Sequence, residues 1–409
     1  MKQSNAALNR GYVAVHWTYW SSVCSVSMFA GVYLLSRAYT NARIGVLLAI
    51  ASLSSFLLQP VIGSLADKSK KIRLPTLIAL IAGLGAMASL GLMADTANRF
   101  TFVLYVFSIV STQVIQPLIS SLCFYIERRG YRINFGLARG SASLLFSAMS
   151  VLLGEWTKAS GTNVIPLTSM ALLLLMAALM ALFRGFPASP AQPVLKKSAP
   201  DIAGFLQNRN YLLLLLGSVF LFFGHALTNN YYFQIVRNVG GNSSAMGFLI
   251  SYIAMVELPV MLLFGRLRSR YSCVSMLRVS AVFFTVKMFF TAIAGSMPAL
   301  YVASTFQVLG FALYTPASVR YIGDIMDENN TSRGQSFLSA MVTLGYFTAS
   351  LAGGLMIDSL GVRLSLLIGS AVSFIGTALM LFGMSTRHDT TDSPAQRENS
   401  RYDTRSQGD

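Results

Sequence analysis

The sequence predicts an all-α membrane protein with twelve transmembrane helices arranged as two six-helix pseudo-symmetric halves. Three observations predict it. Hydrophobic residues make up 54% of the 409-residue chain, only 11% are charged, and the mean hydropathy is +0.59. Apolar stretches of about 20 residues recur, the length a helix needs to cross roughly 30 Å of hydrocarbon. The basic residues cluster in alternate loops. A soluble chain of this size carries roughly 25% charged residues because its surface faces water. Here most of the surface is expected to face lipid, where only a helix satisfies its own backbone groups within one span.

In chain order the spans are expected near residues 12–34, 44–66, 74–94, 100–123, 139–157, 164–184, 210–235, 246–265, 274–295, 298–320, 336–357 and 363–384. The N-terminus lacks the pattern of a cleaved leader, so the first helix is expected to remain. Cys24, Cys123 and Cys273 fall in or beside spans and suggest no disulfide framework.

The net charge of +16 is topological rather than a nucleic-acid footprint. With a cytoplasmic N-terminus, 22 of the 31 Lys and Arg fall on the cytoplasmic side, 6 on the outer side, and Arg139, Arg278 and Lys287 in or at the ends of spans. This is the positive-inside distribution. It predicts a multi-pass protein of the bacterial inner membrane with both termini cytoplasmic.

The chain divides into a six-helix half (1–184), a cytoplasmic linker (185–209), a second half (210–384) and a disordered cytoplasmic tail (385–409). The linker holds Pro187, Pro190, Pro193, Pro200 and Lys196-Lys197, and the polar tail cannot bury a core. Weak echoes support duplication. Tyr125-Ile126 precedes Arg139-Gly140 as Tyr321-Ile322 precedes Arg333-Gly334, and Gly63-Ser64-Leu65 pairs with Gly265-Arg266-Leu267.

Between the second and third spans the chain reads Gln59-Pro60-Val61-Ile62-Gly63-Ser64-Leu65-Ala66-Asp67-Lys68. This resembles the Gly-x-Leu-x-Asp-[Lys/Arg] signature of the major facilitator superfamily. The resemblance implies a cytoplasmic gate at Gly63, Asp67 and Lys68, and the internal echo of Arg139 at Arg333 suggests Arg333 as a further gate residue. Ile50 to Pro60, Tyr125-Ile126-Glu127-Arg128, Gly136-Leu137-Ala138-Arg139 and Glu257-Leu258 are similar to the lactose permease or oligosaccharide:proton symporter branch. Lys287 stands at the spacing of that branch's ninth-helix arginine. The departures are as informative: the branch's fourth-helix carboxylate falls at Cys123, its tenth-helix His and Glu fall at about Gln307 and Gly310, and a tryptophan becomes Phe146.

Glu257 and Lys287 lie within apolar spans, where insertion of a charge costs roughly 2.5–3.5 kcal/mol. They are expected to interact at mid-depth, either as a site that couples protonation of Glu257 to solute movement or as a structural pair. A histidine titrates near neutral pH, so His225 is expected either to replace the missing relay or to pack between helices. Asn229 and Asn230 offer amide contacts to hydroxyls. Arg139 is a solute ligand by resemblance, or a gate residue by its echo at Arg333. Phe146 is a platform for a sugar ring or a core residue. Gln113 and Gln116 share one face of the fourth span and would line the cavity. His16, Trp17, Tyr19 and Trp20 are read mainly as anchors at the membrane interface.

No phosphate-binding loop and no metal-ligand spacing appears, so the chain is expected to be no enzyme and to need no cofactor. The expected activity is secondary transport, proton-coupled symport of a sugar or oligosaccharide by alternating access. Uptake of an organic, aromatic acid and export of drugs or sugars remain alternatives. The partners are then a small-molecule solute, a proton and membrane lipid, with the protein a monomer.

Overall fold

The computed structural model describes residues 5–68, 73–127, 130–183, 208–326 and 328–384, and these are helical almost throughout. The helices are α1 (Asn5–Val23), α2 (Ala30–Ser36), α3 (Asn41–Lys68), α4 (Leu74–Ala94), α5 (Thr101–Glu127), α6 (Phe135–Ser160), α7 (Val164–Leu179), α8 (Arg209–Asn230), α9 (Tyr232–Asn238), α10 (Ser243–Arg268), α11 (Cys273–Ile293), α12 (Met297–Thr305), α13 (Phe311–Ile325) and α14 (Glu328–Ala378).

Ten helical stretches among the described residues are long and apolar enough to cross a membrane. One of them, Arg333–Gly383, contains two spans, because Gly361 has φ 79° and ψ 169° where two helices meet. The first span completes the set of twelve. It is broken into α1 and α2 by a π-helical turn at Cys24–Met28. The break has a local cause: the Ser22 hydroxyl donates to the Tyr19 carbonyl and Ser25 to that of Ser22, which competes with the backbone ladder. Outward-facing apolar side chains such as Leu262, Met87 and Val61 are largely exposed, as expected where the surrounding solvent is hydrocarbon.

The tenth span is also broken. α12 gives way to a 3-10 turn at Phe306–Val308, and Gly310 (φ −78°, ψ −104°) leaves helical geometry before α13 begins. Ser280 Oγ on α11 donates at 2.7 Å to the Gly310 carbonyl, which also accepts from Tyr314 N at 3.0 Å, so the start of α13 is tied to α11. Proline has a related effect in α5. Pro117 cannot donate to the carbonyl of Gln113 four residues earlier, and that carbonyl instead accepts from Gln59 Nε2 at 3.0 Å. Prolines also interrupt α3 (Pro60), α10 (Pro259) and α13 (Pro316).

Buried apolar residues form three clusters. One draws on Leu8 to Phe183, another on Tyr211 to Met384, and the third takes residues from both stretches. The third lies toward the far end of the bundle, where α2 ends and α3 begins. There the two groups of six spans meet directly. Asp358, beyond the eleventh span, accepts from Asn41 N, Asn41 Nδ2 (2.7 Å) and Ala42 N (2.7 Å) at the start of α3. Gln234 Nε2 donates to Asn41 Oδ1 at 2.8 Å. Along the neighbouring seam, α6 and α10 are tied by Ser150 Oγ to Gly247 O (3.0 Å), Ser243 Oγ to Gly154 O (3.2 Å) and a Ser147–Ser251 hydroxyl pair (2.6 Å).

Candidate functional site

The seam fixes where a site can form. Its last hydrogen bond toward the near end, the end that carries Asn5, joins Ser147 to Ser251. Beyond it Arg139 follows after eight residues of α6 and Glu257 after six of α10. At 1.5 Å per residue these stand about 12 Å and about 9 Å nearer that end. They are the first charged side chains past the contact, one on each side.

Glu257 and Lys287, expected to interact at mid-depth, form no direct ion pair among the described residues. Gln307 stands between them: Lys287 Nζ donates to Gln307 Oε1 at 2.5 Å, and Gln307 Nε2 donates to Glu257 Oε1 at 2.7 Å. The correction has a physical reason. Gln307 sits in the 3-10 turn that breaks the tenth span, so its amide is delivered between α10 and α11. An amide offers both a donor and an acceptor, and so satisfies a carboxylate and an ammonium at once. Lys287 is buried and its Nζ also donates to Tyr232 OH at 3.4 Å.

His225 on α8 stacks on Phe311 at 4.7 Å with an interplanar angle of 6°. Asn229 Nδ2 donates to its Nε2 at 2.9 Å, which in the neutral ring leaves the proton on Nδ1. That nitrogen is buried and meets no partner among the described residues. Asn230 points elsewhere, donating to Ser350 Oγ at 2.9 Å in the far-end packing. Gln113 is half-buried and Gln116 exposed on α5, and Phe146 packs partly buried against the central cluster.

Arg139 Nη1 donates to Ser143 Oγ at 3.1 Å, and its guanidinium lies over the Trp20 ring with Cζ 4.1 Å from the centroid. Trp20 is therefore turned inward to Arg139 rather than serving only as an interface anchor. Trp17 donates its indole N–H to Ser141 Oγ at 2.9 Å. Arg333 Nη1 donates to Asn330 Oδ1 at 3.3 Å on its own helix. Gly63 faces open space, with nothing within 4 Å of an added Cβ. The side chains of Asp67 and Lys68 lie outside the described residues, as do most of the linker and the whole tail.

Gln307, Trp20 and Tyr232 were not placed in the site from sequence. Gln307 reads there only as a lost histidine, and a paired donor and acceptor in an apolar span is the signal that would have found it.

Comparison with known proteins agrees with this fold. The family model described as the MFS_1 like family matches residues 11–367. A maltose permease of Geobacillus stearothermophilus is 28% identical over 356 residues, covering 86% of this chain and 88% of that protein. Multidrug resistance protein 2 of Bacillus subtilis (strain 168) is 22% identical over 177 residues, 43% of this chain and 44% of that one. Among solved structures, a nucleoside transporter, NupG, superposes with a TM-score of 0.79 at 14% identity, covering 92% of this chain and 100% of its own. A bacterial homologue of the human lysosomal transporter Spinster, inward-facing and unoccupied, gives 0.69 at 13% identity, covering 94% and 97%. With the twelve spans and a family match over most of its length, the chain belongs to the MFS_1 like family of major facilitator transporters and is not an enzyme.

Proposed function

We propose that the protein is a proton-coupled symporter of an oligosaccharide, with maltose the first solute to test. The observation that carries the reading is the arrangement past the seam: Arg139 on α6 and the Glu257–Gln307–Lys287 chain stand on the two sides of the junction between the groups of spans. The maltose permease relationship over 86% of the chain supports the solute class. Hydrogen-bonding groups on both sides suit a polyhydroxylated solute, and Glu257 is the carboxylate available there to take up a proton. Halves corresponding to residues 1–184 and 210–384 would rock about that site. The far end is outward by the charge distribution of the loops, so the conformation is closed outside, with both termini in the cytoplasm of a bacterial cell and the protein acting as a monomer. Asp67, Lys68, Gly63 and Arg333 would gate the opposite, inner side.

The test is uptake of radiolabelled maltose into proteoliposomes under an imposed pH gradient. Glu257→Gln should abolish uphill accumulation while leaving maltose exchange measurable; accumulation at the unaltered rate would sink the coupling role. One observation favours a second solute class. Arg139 makes no ion pair among the described residues, and Cys123 stands where the related branch has a carboxylate. Two cations then share the site with Glu257, which suits an organic anion. Benzoate uptake in the same vesicles, with none of maltose, would select that reading.

A further inference from the structure

Trp20 belongs to the first span, and its indole is half-buried. Tyr19 meets it edge-on at 5.3 Å, and the Arg139 guanidinium covers one face. A guanidinium carries five N–H donors in a single plane. The Arg139 Cζ lies 4.1 Å from the indole centroid, Ser143 Oγ takes one of the donors, and no other hydrogen bond of the guanidinium is found among the described residues. Glu257 stands on α10, on the other side of the junction and also past the Ser147–Ser251 contact. In a low-dielectric region such charges attract strongly. Yet Arg139 rests on the indole, and Glu257 accepts from Gln307. The ring holds the cation by a competing attraction between the guanidinium and its π face.

We propose that Trp20 is a positioning residue that restrains Arg139 on the side of the first six spans. It keeps the guanidinium from pairing with Glu257 and presents its edge donors to a solute bearing two adjacent oxygen acceptors. The inference rests on the reading of this region as the solute site. It makes Trp20 a determinant of specificity, because paired hydroxyls on a sugar and the two oxygens of a carboxylate both match that edge.

The test uses full-length protein carrying Trp17→Phe and Trp156→Phe, so that emission comes from Trp20 alone. In the absence of solute, Arg139→Gln should shift and brighten the Trp20 emission, because it removes the stacked cation. An unchanged spectrum would overturn the stack. Binding is then measured with maltose and with benzoate. Trp20→Phe retains a ring face and should weaken binding of the recognised probe by about threefold or less. Trp20→Met, of similar bulk but without a ring, should weaken it by roughly tenfold, equivalent to about 1.4 kcal/mol. Equal losses for Phe and Met would reduce Trp20 to a packing residue and overturn the proposal. If the parent protein binds neither probe, the solute reading fails by itself, and the solute-free emission decides the role of Trp20.

Discussion

At the far end α6 and α10 meet backbone to backbone, while toward the near end the same two helices present glycines to open space. A Cβ added to Gly154 would lie 2.7 Å from the Ser243 carbonyl oxygen, and one added to Gly247 would collide with the carbonyl of Ser150. By contrast, Gly140 on α6 and Gly265 on α10 have nothing within 4 Å of an added Cβ. α3 repeats the contrast, with Gly45 pressed on Ser350 and Gly63 unobstructed. A glycine in a helix interior is about 1 kcal/mol less favourable than alanine. At the far end close approach of two helices justifies that penalty. At the near end this conformation offers no such justification, whereas a conformation that closes the near end would. The difference between the two ends thus carries the alternating-access reading further than either end alone.

The largest expected effect comes from breaking the closed end. Gly247→Val forces a branched side chain against a helix backbone that cannot yield as a flexible side chain would. Overpacking of this kind costs roughly 1–3 kcal/mol, a factor of about 5–150 in the ratio of closed to open far end. A single cysteine placed beside the seam, in a protein with Cys24, Cys123 and Cys273 replaced by serine, should react faster with an impermeant maleimide. Gly265→Val should leave that rate unaltered. Similar rates for both variants would remove the distinction between the ends.

The second effect tests the clasp at the start of α3. Asp358 satisfies two backbone N–H groups that have no partner within the helix, and its charge complements the positive end of the helix dipole. At an exposed site the dipole contribution is about 0.3–1 kcal/mol. Asp358→Ala should therefore raise far-end labelling by a factor of about 5 or less, with Asp358→Asn between it and the parent. Labelling that does not move would leave the glycine seam as the whole of the closure.

Much of this was legible in the sequence, and what was not has specific causes. Hydropathy located every span, because a charge or loop residue inside hydrocarbon is conspicuous. It also exposed Glu257 and Lys287 for the same reason. The breaks at Cys24–Met28 and Phe306–Val308 were hidden, since a broken helix and a continuous one share the same apolar composition. Gln307 was hidden with them, because its position between Glu257 and Lys287 depends on the break. The contact of Trp20 with Arg139 was not legible because a helix that is apolar all round gives no sign of its rotation about its own axis. That rotation decides whether an aromatic ring faces lipid or Arg139.

The smallest effect is expected at Asp95, in the far-end loop between α4 and α5 but away from both seams. Its carboxylate accepts from Arg99 N (3.0 Å), Phe100 N (2.9 Å) and Thr101 Oγ1 (2.7 Å), all within the first group of spans. Desolvation tends to raise its pKa, but the hydrogen bonds from Thr101 and the backbone outweigh that and hold it below the usual carboxylate value. The sign follows from linkage. A folded-state pKa below the unfolded one contributes stability that is full above the unfolded pKa and is lost as pH falls through the folded one. Asp95→Asn should therefore narrow the fall in Tm between neutral and acidic pH slightly, because it removes one group that must be protonated. The same variant should leave far-end maleimide labelling unchanged at neutral pH, since among the described residues the hydrogen bonds of its carboxylate stay within the first group of spans. If Asp95→Asn opened the far end as Gly247→Val does, closure would depend on the order of the whole outer surface, and the contrast between seam and loop would lose its meaning.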